Sequence, residues 1–126
     1  MIKTRQTTAG EEKLFLAKAR DFKEAMEKIL PSNPNAATVL AVNCVISSCD
    51  ALTAARLKQV CRDEHKRVVE LIGKISEVTT ETKKQVTIVL SSKSDAEYET
   101  RMTRPEEAKK AVSQAKKFFE WVVLRI

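Results

Sequence analysis

Apolar positions recur along this chain at intervals of three and four residues, the spacing that keeps one face of an α-helix apolar. Phe15, Ala19, Phe22, Met26 and Ile29 form the first such series. They predict a helix over about residues 8–30, opened by Thr8-Ala9-Gly10-Glu11, which has the spacing of a capping box. Pro31-Ser32-Asn33-Pro34 closes it, because proline lacks a backbone donor and restricts the residue before it. A second helix is expected over 35–57, with Asn33 as N-cap and Pro34 in the first turn. Val39, Leu40, Val42, Val45, Ile46, Cys49 and Leu52 leave it almost no polar side, so other helices should surround it.

Three further helices follow from the same reading. A short amphipathic one is expected over 63–75 through Val68, Val69, Leu71 and Ile72, and a mostly polar one over 80–98 through Val86, Val89 and Leu90. The last, over 104–126, has the clearest signal. Thr103-Arg104-Pro105-Glu106 reads as a second capping box, and Ala108, Ala111, Val112, Ala115, Phe118, Phe119, Val122 and Ile126 share one face. Lys109, Lys110, Lys116 and Lys117 lie on the other side, as a solvated face or an anion site. The economical architecture is an all-α fold, an antiparallel bundle of four to five helices in a single domain over 1–126.

Composition agrees and removes alternatives. Two glycines and three prolines are too few for the many turns of a β-sandwich or barrel. Charged residues at 32% beside 43% hydrophobic ones exclude a disordered acidic tail and a membrane protein. The most apolar stretch also carries Asn43, Asp50 and Arg56, which makes it a poor membrane span. The net charge of +6 admits a polyanionic partner, but no run of five like charges forms a basic arm.

Candidate chemistry is sparse. Cys44, Cys49 and Cys61 contain no C-x-x-C pair, and His65 is the one histidine, so neither a metal nor a cofactor is expected. The cysteines read as small buried apolar residues in a reducing, cytoplasmic setting. No glycine-rich phosphate loop, G-x-S-x-G or H-E-x-x-H is present. What stands out are polar residues that interrupt apolar faces. Asn43, Ser47, Asp50 and Ala54 share one side of the second helix, as a close helix–helix seam or as a polar cleft. Lys93 falls near the core side of the fourth helix, where Asp50 or Glu97 would suit it as partner, or where its stem packs and its ammonium stays in water. Arg62 and His65 stand at a helix start with no neighbouring nucleophile in sequence. Trp121 and Leu124 lie off the stripe of the last helix, as an interface or as a fold over the bundle end.

The run from Ala41 to Leu57, with its central Asp50-Ala51, resembles the second helix of HEPN (higher eukaryotes and prokaryotes nucleotide-binding) domains. Asp63 and His65 loosely match an Asp-His pair that follows that helix in one prokaryotic branch. Lys93 to Tyr98, then a capped helix ending Phe118-Phe119-Glu120-Trp121, resembles its close, so the likeness covers about residues 36–126. The resemblance implies a helical bundle, often homodimeric, of RNA-processing, toxin–antitoxin or defence systems. Catalytic members are metal-independent ribonucleases with an Arg-x4-6-His signature. This chain lacks that signature and has Lys93, Ser94 and Tyr98 at the corresponding place. A lysine there could hold a phosphate, whereas a tyrosine is a weak acid or base at neutral pH. The expected function is therefore a non-catalytic or cryptic HEPN-like interaction module. It would be a homodimer acting with a nucleotidyltransferase-type antitoxin or RNA, with Asn43, Asp50, Lys93 and Tyr98 lining a shared polar groove. The alternatives are a ribonuclease toxin using Lys93 and Tyr98 with His65, and a purely structural helical adaptor.

Overall fold

A computed structural model describes residues 1–93, 96 and 100–126. Within them the chain runs β1 (Thr4–Gln6), α1 (Glu11–Ile29), α2 (Pro34–Leu57), β2 (Gln59–Cys61), α3 (Arg67–Ile72), α4 (Thr80–Ser91) and α5 (Pro105–Val123). The fold is all-α, apart from a two-stranded ribbon. α2 is the central helix and packs on the other four. By length and composition it could cross a membrane, but most of it is buried among its neighbours. Ala41, Val45, Cys49 and Leu52 line its interior faces, and Phe118 and Val122 of α5 and Met26 of α1 meet them in one core.

The helix ends depart from expectation for identifiable reasons. α1 opens at Glu11, after Gly10, which takes a left-handed φ of 94° that suits a residue without a Cβ. Only half of the expected box forms. The Glu11 carboxylate accepts from the Thr8 N–H at 2.6 Å, while the Thr8 hydroxyl donates to the same carboxylate at 3.2 Å. Arg5 adds two further bonds at 2.8 and 3.2 Å, and these hydrogen bonds, Arg5 foremost, hold the Glu11 carboxyl down at about 2. α2 begins as expected, with Asn33 Oδ1 accepting from the Ala36 N–H at 3.0 Å.

The second box shifts by one residue. Arg104 is the N-cap and Glu107 accepts from its N–H at 3.2 Å. Thr103 instead donates its hydroxyl to Asn35 Oδ1 at 2.8 Å, and Asn35 Nδ2 donates to the Ala96 carbonyl at 2.8 Å. One amide at the start of α2 thereby fixes the approach to α5.

The third and fourth helices are shorter than their apolar patterns. The stretch 63–66 is not helical, because the Asp63 carboxylate accepts from the Lys3 N–H at 3.1 Å and the Glu64 N–H at 2.8 Å. The residues before it form β2, antiparallel to β1 with Arg5 opposite Val60. Regular α4 ends at Ser91, and the expected continuation through residues 94, 95 and 97–99 lies outside the described residues.

α2 ends at Lys58, which takes a left-handed φ of 58°. A β-carbon there costs energy that glycine avoids. Lys58→Gly is expected to stabilise the fold by roughly 0.5 kcal/mol, read as a higher urea midpoint at unchanged slope.

Candidate functional site

The ribbon sets the site. β1 pins β2, and the chain leaving Cys61 delivers Arg62, Asp63 and His65 against the half-buried Asp50 of α2. These groups, with Ile46, Cys61 and Val68, line a cleft of about 290 Å3. Burial pushes the Asp50 carboxyl up to about 6, and the charges of Arg62, Lys18 and Arg5 only partly offset it. Such a carboxyl exchanges its proton close to neutrality, the property that acid–base work requires.

On the far side of His65 lies a second and larger cleft, about 600 Å3, between α3 and α4. Val69 and Leu90 form its apolar wall, and Lys66, Glu70 and Lys93 stand at its rim. Lys93 Nζ is 3.2 Å from His65 Nδ1. An ammonium only donates, so Nδ1 takes the acceptor role and the ring proton sits on Nε2. His65 is thus the wall common to both clefts.

Not every expected member of the groove is there. Asn43 is half-buried on the same side of α2 as Asp50 but two turns away, about 10 Å along the axis, and it lines neither cleft. The cations acting on Asp50 are Arg62, Lys18 and Arg5, while Lys93 meets His65. Tyr98 and Glu97 lie outside the described residues. Ser47 and Ala54, between and beyond the polar pair, are buried in the bundle, as a close helix–helix seam requires.

Trp121 is half-buried, stacked on Phe118 with ring centroids 6.0 Å apart. The Arg125 guanidinium lies 3.8 Å from the centre of the Trp121 ring, and Nη1 donates to the Trp121 carbonyl at 3.0 Å. Arg125 also offers its carbonyl to Arg56 at 2.6 Å, and Arg56 pairs with Glu77 at 2.5 Å, which ties the bundle end together. Leu124 remains 83% exposed.

The cysteines are free among the described residues. Burial pushes the Cys44 thiol up to about 12 and Cys49 well above the thiol range, so both stay protonated. Cys61 is half-buried in the Asp50 cleft. Among the described residues no three His, Cys, Asp or Glu side chains group as metal ligands. Sequence reasoning passed over Arg5, Lys18 and Cys61 as neighbours of Asp50. They lie 32 or more positions before it or, for Cys61, within a strand too short to show a pattern. No family model matches this chain, and none of the curated proteins matches it in sequence.

Proposed function

We propose that this chain is a HEPN-like helical interaction module that works as a homodimer and docks through the polar face around His65. What carries this reading is the mixture of charge on that face. Asp50, Asp63, Glu64 and Glu70 are interleaved with Arg62, Lys66 and Lys93 across two adjoining clefts. A track for a phosphate backbone gathers one sign of charge. A face of both signs suits a protein partner, and a two-fold axis lets it oppose unlike charges on a copy of itself. The resemblance of residues 36–126 to HEPN domains supports the same reading, with a nucleotidyltransferase-type protein as the further partner. Sedimentation equilibrium is the test. Wild type is expected at dimer mass, and Arg62→Glu combined with Lys66→Glu at least about tenfold weaker in self-association, with its helical signal unchanged. A chain that stays monomeric into the millimolar range would overturn the reading.

The approach of Lys93 to His65 favours a second reading, a metal-independent ribonuclease. In-line attack by a ribose 2′-hydroxyl needs a base and a cation beside the phosphate, and these two side chains supply one of each. RNA left intact by purified protein across a pH series would dismiss it, as would a Lys93→Ala chain that cuts as fast as wild type.

A further inference from the structure

We propose that the outer edge of β1 takes up an extended acidic segment of a partner protein as a third strand of the ribbon. The ribbon's own hydrogen bonds define that edge. The Lys3 carbonyl accepts from the Arg62 N–H at 2.8 Å, and the Thr7 N–H donates to the Lys58 carbonyl at 3.0 Å. With Arg5 opposite Val60 between them, Lys3, Arg5 and Thr7 turn their backbone groups toward β2, and Thr4 and Gln6 turn theirs outward. Both of these residues are exposed. The Gln6 carbonyl accepts from the Arg5 guanidinium at 3.2 Å, and the other outward groups have no partner among the described residues. Among those residues β1 packs closely on β2 alone. An uncovered edge with unpaired backbone groups is a template for a further strand. It points away from β2 and from the segment after it, which carries the polar face.

Charge selects the occupant. Lys3 and Arg5 share one face of β1, and the Glu11 carboxylate on that side is already held by Arg5 at 2.8 and 3.2 Å. Ile2 and Thr4 share the other face, where they line a groove of about 420 Å3 with Gln59 and Lys74. Lys3 acts on Asp63 through its backbone N–H and its charge, but the exposed Lys3 and Lys74 ammonium groups enter none of the salt bridges among the described residues. Acids at alternate positions of an added strand would fall beside Lys3 and Arg5, and the residues between them would lie over Ile2 and Thr4. A second copy suits the edge poorly. Antiparallel pairing about Thr4 would set Lys3 against Arg5, and pairing about Arg5 would set that cation against itself. Pairing about Gln6 would need the Thr8 N–H, which Glu11 holds.

The test uses a blocked peptide of about seven residues, an ordinary strand length, in which glutamate alternates with valine. Its counterpart has lysine for glutamate. The acidic peptide is expected to bind at least about tenfold tighter than the basic one. At saturation it should slow hydrogen exchange at the Thr4 and Gln6 amides, which bond nothing in the free chain, and leave Glu64–Lys66 unchanged. Thr4→Pro removes the outward N–H and no bond of the fold. It should bind the acidic peptide at least about tenfold more weakly, with the Val60 amide shift reporting an intact ribbon. Lys3→Glu should weaken binding by a similar factor. If Thr4→Pro disturbs the ribbon, exchange in the wild-type chain decides alone. The proposal falls if saturating peptide leaves Thr4 and Gln6 exchange unchanged, or if the basic peptide binds as tightly. Protection of Thr4 and Gln6 that rises with protein concentration and needs no peptide would overturn it too, since the edge would then join two copies of the chain.

Discussion

A Phe118→Ala chain is expected to lose about 3–5 kcal/mol of stability, the largest effect of any single substitution considered for this fold. Phe118 is fully buried on α5, in the core that α5 shares with α1 and α2. Truncation removes its transfer energy, opens a void that rigid helices fill only in part, and leaves Trp121 without its stacking partner. Domains of this size are stable by only about 5–15 kcal/mol, so about a fifth or more of the total goes. The urea midpoint should fall at unchanged slope. Leu124→Ala, two turns further along at a residue 83% exposed, should change monomer stability by less than about 0.5 kcal/mol. Equal losses from the two would contradict the packing described for this helix.

Asp50→Asn is expected to act in the opposite direction. The Asp50 carboxyl titrates near 6 in the fold, against about 3.9 in an unfolded chain. Between those values the folded protein binds more protons than the unfolded one, so this residue makes stability fall as pH rises through the window. Above it, the ionised carboxylate is a standing cost. Asparagine has the same shape and no charge. The variant should be more stable than wild type by roughly 1–2 kcal/mol near pH 8, the cost being screened in part because the side chain is only half-buried, and indistinguishable from it near pH 4. Glu11 pulls the other way in acid, since its lowered carboxyl loses stabilisation as pH falls from about 4.5 toward 2. The difference between variant and wild type cancels that contribution. A variant less stable than wild type at pH 8 would mean that the charge of Asp50 is satisfied by Arg62, Lys18 and Arg5.

The bundle was legible in the sequence because its signals are local. The three- and four-residue spacing of Phe15, Ala19, Phe22 and Met26, and of Ala108, Ala111, Val112, Ala115 and Phe118, survives any tertiary context. So does the stop made by Pro31 and Pro34. The ribbon was not legible. Thr4–Gln6 and Gln59–Cys61 are three residues each, too short for alternation to register, and what defines them is a pairing across more than fifty positions. The helix expected from Asp63 failed for a related reason, since the Asp63 side chain binds the distant Lys3 backbone rather than continuing a turn.

The site was half legible. Asp50 and Lys93 stood out as polar groups on apolar faces, but their partners did not. Arg5 and Lys18 come to Asp50, and His65 to Lys93, only through the packing of separate elements. Asn43 shares the side of α2 with Asp50, and a shared side says nothing about distance along the axis.

The role given to the polar face can be read most directly from amide hydrogen exchange followed against protein concentration. If the chain pairs through that face, exchange at Arg62–Lys66 should slow as concentration rises through the dimerisation range, while the exposed Lys109 and Lys116 side of α5 keeps its monomer rate. Exchange that is independent of concentration at Arg62–Lys66, or protection that appears on the α5 lysine face instead, would contradict the account.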